Sequence, residues 1–137
     1  MRPKILVDTG PLVAYLCEDE YHHAWAVDPF KAHARPLLTC EAVLVEATFL
    51  LRRTKRSHEK LLDLIASGAI AIGFDLEGDA EIVSALMTQY NNVPMDLADA
   101  CLVRMTELYP DSTLLTLDSD FQIYRKHRRE IISVIIP

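Results

Sequence analysis

Two short strings at opposite ends of the chain each run an apolar, strand-like segment straight into an acid. They are Ile5-Leu6-Val7-Asp8-Thr9 and Leu114-Leu115-Thr116-Leu117-Asp118-Ser119-Asp120. In an open α/β sheet, side chains just beyond the carboxyl ends of parallel strands converge on one crevice. Asp8 and Asp118 are therefore expected to meet despite their separation in sequence, and carboxylates brought that close need a cation.

Between these strings, strand and helix signals alternate. Lys4 to Val7 reads as a buried strand, and Gly10-Pro11 turns the chain into a helix opening at Leu12. A second helix is expected over Tyr21 to Ala34, bent at Pro29. Pro36 to Thr39 reads as a short strand feeding a helix from Glu41 to Arg53, with Ser57 as the N-cap of another that ends at Gly68. Ala69 to Gly73 is the next strand and Gly78 to Tyr90 the next helix, broken by Asn91-Asn92-Val93-Pro94 before a helix from Asp96 to Pro110. Thr113 to Leu117 is a strand, Ser119 to His127 a short helix, and Ile131 to Ile136 a final β-branched strand. This alternation predicts an α/β fold with a mostly parallel central sheet flanked by helices. A length of 137 residues, half of them hydrophobic, suits a single domain spanning 1–137.

A net charge of −6 and a pI near 5.3 argue against indiscriminate polyanion binding, because the whole-molecule field repels phosphate unless cations cluster or metals intervene. Cations do cluster, in Arg52, Arg53, Lys55, Arg56 and Lys60 and again in Arg125, Lys126, Arg128 and Arg129. Both runs fit solvated helix ends, or they flank an acidic crevice and grip backbone phosphates, Arg53 and Arg56 above all. Cys17, Cys40 and Cys101 form no CxxC pair and suit buried reduced thiols. With no signal core and no apolar run near the roughly 20 residues of a membrane span, the expected location is the cytoplasm.

More acids lie where apolar neighbours predominate. Helical spacing puts Ala42, Val43, Phe49 and Leu50 on one stripe with Glu46, which would point it toward the core, ion-paired to Arg53 or to another partner. Asp96 and Asp99 sit three apart beside Leu102 and Val103; Asp96 also suits an N-cap, whereas Asp99 is expected to face protein. Carboxylates gathered in this way repel one another unless a divalent ion neutralises them, and oxygen-only ligands select Mg²⁺ or Mn²⁺, with Ca²⁺ also open. Such an ion can activate water for attack on a phosphodiester.

Taken together, Val7-Asp8-Thr9, Glu46 within Val43-Leu44-Val45-Glu46-Ala47, Asp96-Leu97-Ala98-Asp99-Ala100 and Thr116-Leu117-Asp118-Ser119-Asp120-Phe121 resemble the PIN-domain ribonucleases, and within them the VapC-like toxins of toxin–antitoxin pairs. That resemblance implies a small α/β sandwich whose acids bind Mg²⁺ or Mn²⁺ for endonucleolytic RNA cleavage. Its main acids fall on Asp8, Glu46, Asp99 and Asp118, and Asp96 and Asp120 are additional. By the same resemblance Asp8, Asp99 and Asp118, with Asp96, hold the ion, and Glu46 holds water beside it or a second ion. Thr9 and Thr116, together with Asp120, orient those carboxylates from behind. A homodimer and a cognate antitoxin are implied too, with apolar residues of Leu12 to Cys17 and Tyr21 to Phe30 as contacts.

Other functions are open at this point. A haloacid-dehalogenase-like phosphatase needs a second Asp two residues after the first, where this chain has Gly10. A receiver-type signalling domain needs a Lys after the Leu117 strand, and none is there. A solitary RNA-processing PIN nuclease and a catalytically silent PIN module that binds RNA or protein would both keep every acid.

Overall fold

The computed structural model describes residues 4–32 and 36–137. Its centre is a five-stranded sheet in which every pairing is parallel, in the order β3-β2-β1-β4-β7. The strands are β1 (Ile5–Val7), β2 (Leu37–Thr39), β3 (Ile70–Ile72), β4 (Thr113–Leu115) and β7 (Val134–Ile135). β1 and β2 are buried at every position, and Leu114 and Leu115 of β4 are buried as well. These strands read as continuous apolar runs without alternation, as expected of a parallel sheet covered on both faces.

Helices α1 (Thr9–Leu16), α2 (His23–Ala32), α3 (Glu41–Leu50), α4 (Ser57–Ala66), α5 (Ala80–Gln89) and α6 (Leu97–Leu108) fill the crossovers. Strands and helices share one apolar cluster that runs from Ile5 to Ile132. Burying α6 almost throughout, with Ala98, Cys101, Leu102, Val103 and Met105 inaccessible, fixes its amino end against the sheet. The chain leaves β1 toward β2 and β3 on one side and returns to β4 on the other. The strand order therefore reverses between β1 and β4, and a crevice opens beyond their carboxyl ends.

Several boundaries differ from the sequence expectation. α1 opens at Thr9, not Leu12, because the Asp8 carboxylate accepts the Thr9 N–H and caps it. α2 spans His23–Ala32, and residues 33–35 lie outside the described residues. Ser57 does not cap α4: Arg56 takes that position in a left-handed conformation (φ 58°), while the Ser57 hydroxyl turns inward and donates to the Leu51 carbonyl at 2.7 Å. The helix expected over Ser119 to His127 is a single 3-10 turn, Ser119–Gln122, followed by an antiparallel hairpin of β5 (Arg125–Lys126) and β6 (Glu130–Ile131). The last apolar run is consequently two elements. Ile131 faces solvent on β6, Ile132 is buried, and only Val134–Ile135 joins the main sheet.

Candidate active site

The crevice is built first by its seam. Asp8 N–H donates to Leu115 O at 3.0 Å, extending the β1–β4 pairing by one residue past each strand. Gly10 lets the two strand exits close on each other, since a Cβ there would stand 3.1 Å from Leu117 Cδ1. Thr116 then joins both acids. Its hydroxyl donates to Asp8 Oδ2 at 2.7 Å and accepts the Asp118 N–H at 2.9 Å.

The remaining acids arrive on helices. Asp96 and Asp99 form a reciprocal capping box at the start of α6, with Asp99 N–H donating to Asp96 Oδ1 (2.8 Å) and Asp96 N–H to Asp99 Oδ2 (3.3 Å). Val43 and Ala47 form the buried stripe of α3, continued by Leu51, so Phe49 (61% exposed) and Leu50 face outward, contrary to the stripe expected from the sequence. Glu46 thus sits at the edge of the buried stripe, half-buried and not in the core. Thr9 Oγ1 donates to its Oε2 at 3.0 Å, and no ion pair with Arg53 forms among the described residues. Asp8, Glu46, Asp96, Asp99 and Asp118 all line one cavity of 280 Å³. Asp120 does not; its N–H donates to Asp118 Oδ1 at 2.9 Å, which makes Asp118 the cap of the 3-10 turn.

Electrostatics divide this set. Asp8 is 7% exposed and Asp99 8%. Burial pushes Asp8 up to about 6 against the hydrogen bonds from Thr116 and Thr9, with the Asp118 and Asp96 charges adding to the rise. Asp99 is pushed up to about 7 by burial first and by the Asp96 carboxylate next. Glu46 also moves upward, from burial and the adjacent Asp96 charge. Among the described residues no cation pairs with these acids, for the three ion pairs there all lie elsewhere.

One residue of the cluster was not anticipated. Tyr124, wholly buried against Phe121 and Tyr90, donates its hydroxyl to Asp99 Oδ2 at 3.2 Å. The only hint in the sequence is its spacing after Phe121, which the expected polar helix obscured. Arg53 and Arg56 are exposed in the segment between α3 and α4 and do not line the crevice; Arg56 lies 3.9 Å from Glu59. Of the surfaces expected for protein contact, Leu12, Ala14 and Leu16 of α1 are buried, whereas Tyr21 is 90% exposed; Val45, Phe49 and Leu50 of α3 and Leu62 of α4 are among the other exposed apolar side chains.

Acids from a strand end, two helices and a second strand end, gathered at the reversal point of a parallel sheet, can be weighed against known proteins. A family model described as PIN domain matches residues 5–126. The chain belongs to the PIN domain family. Ribonuclease VapC26 of Mycobacterium tuberculosis (strain ATCC 25618 / H37Rv) is 27% identical to this PIN domain over 116 residues, covering 83% of this chain and 86% of the relative. The crystal structure of M. tuberculosis VapC20, a toxin that cleaves the sarcin-ricin loop, matches with a TM-score of 0.78 at 17% identity, over 88% of this chain and 94% of that one. VapBC2 from Rickettsia felis, solved on a DNA fragment from its promoter, matches with a TM-score of 0.59 at 14% identity, over 97% and 98%. These solved neighbours bear out the α/β fold with a parallel central sheet.

The donor set of this PIN domain fits a hard divalent ion. Among the described residues no three acidic, histidine or cysteine side chains are drawn into a ready-made cage. The crevice is instead open, lined by carboxylates and free of sulfur and imidazole. Mg²⁺ and Mn²⁺ suit such a place, since Mg²⁺ keeps several waters and takes only one or two carboxylates directly. No helix of the described residues is long and apolar enough to cross a membrane.

Proposed function

We propose that this chain is a Mg²⁺- or Mn²⁺-dependent endoribonuclease and the toxin of a toxin–antitoxin pair, acting in the cytoplasm. One observation carries it: five carboxylates from four segments share one cavity, two of them buried with raised proton affinity, and among the described residues no cation pairs with them. Asp8, Asp99 and Asp118 would hold the ion, with Asp96 at the rim. Bound there, the ion supplies Lewis acidity to a phosphodiester and to the water that attacks it.

The chain's own groups do the rest. Thr116 fixes the Asp8 carboxylate and ties it to the Asp118 backbone, so the two strand ends present their oxygens together. Tyr124 and the Asp96 N–H hold Asp99 Oδ2. Glu46, positioned by Thr9, has a raised proton affinity and faces the same crevice, which suits it to accept the proton of the attacking water. Arg53 and Arg56, exposed on one rim of the α3–α4 segment, are available to backbone phosphates.

Support for partners comes from the VapBC2 likeness and from the exposed Val45, Phe49, Leu50 and Leu62, which offer an antitoxin or a second copy of the chain an apolar surface. The deciding experiment incubates the purified chain with single-stranded RNA in Mg²⁺ or Mn²⁺ and follows product formation. Cleavage that EDTA abolishes and Asp8→Asn removes is expected. Undiminished cleavage in Asp8→Asn overturns the assignment, and a chain that never cuts is a silent module.

A further inference from the structure

A groove of 680 Å³, larger than the acid crevice, runs between α5 and the β5–β6 hairpin. Ile82, Ala85, Leu86 and Gln89 of α5 line it together with Glu107, His127 and Arg128, the Glu107 carboxylate being engaged by Arg104 and by the His127 N–H. The hairpin side of this groove is tied down at both ends. At the base of the hairpin the Tyr124 hydroxyl donates to Asp99, and the Arg125 N–H donates to the Tyr90 hydroxyl at 3.0 Å. At its tip the His127 N–H donates to Glu107 Oε2 at 2.6 Å and Lys126 Nζ to Pro110 O at 3.2 Å.

The turn itself is left-handed at two successive residues that are not glycine, His127 (φ 49°) and Arg128 (φ 69°). That conformation costs energy in L-residues and persists where the surroundings fix it. The cations are not equivalent. Arg125 directs its guanidinium to the carbonyls of Gln122, Ile123 and Tyr124. Arg128 and Arg129 are exposed, and no ion pair among the described residues engages either, although the chain carries a net charge of −6. α6 sets the spacing. From Asp99 to Glu107 it rises about 12 Å at 1.5 Å per residue, and the hairpin follows it, with Tyr124 at Asp99 and His127 at Glu107.

From this placement we infer that the hairpin tip and the adjoining groove form a nucleotide-docking site for the RNA strand cut at the acid crevice. Arg128 and Arg129 take backbone phosphates, and the apolar floor takes an unstacked base. The inference rests on the endoribonuclease reading and adds the substrate's form to it, since only a single strand offers a base free to turn into a groove.

Fluorescence anisotropy of a labelled single-stranded oligouridylate on the Asp8→Asn protein, which binds without cutting, tests it over a salt series. Replacing both arginines (Arg128→Gln, Arg129→Gln) lowers the slope of log K against log salt by about 1.4, at about 0.7 per phosphate contact on a single strand. Ala85→Trp, which fills the groove from an exposed position, weakens the oligouridylate about tenfold and leaves an abasic oligomer of equal length unaffected. Thermal melts matching the parent show that both variants fold. A parent that binds while both variants match its affinity and slope overturns the docking site alone. A parent that binds no single strand, with wild-type chain that cuts none, overturns the endoribonuclease reading and this inference with it.

Discussion

The acid crevice has a dry half and a wet half, and the same residue type behaves differently in each. Asp8 and Asp99 are buried, hold protons to about pH 6 and 7, and receive hydrogen bonds from Thr116 and Tyr124. Asp96 is exposed and Asp118 half-exposed, and each has a local duty as the cap of a helical turn. Asp8 and Asp99 cap as well, at α1 and in the box with Asp96, so capping does not separate the halves; burial does, because a buried, repelled pair is costly until something neutralises it. The dry half is therefore the better marker of function.

The largest test of that contrast sets Asp99→Asn against Asp96→Asn. Loss of Asp99 should lower RNA cleavage more than about a hundredfold, since an ion's charge stabilisation is worth several kcal/mol and 1.36 kcal/mol is a factor of ten. Asn caps as well as Asp, so Asp96→Asn should keep the melting temperature and lose less activity. Equal losses would erase the distinction between halves. Thr116→Val comes next. It removes the donor to Asp8 and orphans the Asp118 N–H, so divalent-ion affinity, read by calorimetry, should fall about 10- to 100-fold, with a stability loss of about 1–3 kcal/mol.

Proton linkage gives a third test. Asp8 and Asp99 bind a proton more tightly folded than unfolded, having moved up from 3.8. The native state thus binds more protons across that window, and the stability of the metal-free chain falls as pH rises from about 4 to about 7. Melts in EDTA should show this fall, flattened in Asp99→Asn, and Mg²⁺ should recover stability above the window but not below it. The smallest effect belongs to Asp120→Asn. Its side chain lies outside the crevice lining, so activity should change less than about threefold, within the usual range for surface substitutions.

Much of this was legible in the sequence because strand ends announce themselves. Apolar runs that stop at Asp8 and Asp118 located the crevice, and Asp99 stood out among Ala98, Ala100 and Leu102. Thr9 and Thr116 follow the same strand ends, and their hydroxyls meet Glu46 and Asp8. What failed was local geometry without a residue signature. His127 and Arg128 adopt left-handed turns that normally ask for glycine or asparagine, so the hairpin was hidden inside an expected helix. Ser57 looked like a cap because serine usually is one, yet the Leu51 carbonyl claimed its hydroxyl. The outward turn of Phe49 and Leu50 was invisible too, since apolar periodicity does not reveal which face a helix leaves uncovered.

The seam at Thr116 has a consequence for the birth of the molecule. The hydrogen bond to Asp8 spans 108 positions, so a ribosome-tethered chain holds Asp8, Glu46 and Asp99 long before the strand that unites them emerges. Synthesis proceeds from the amino end, and the pocket is complete only once Thr116 and Asp118 have joined Asp8. During translation the crevice stays unfinished until that second strand end arrives to close it.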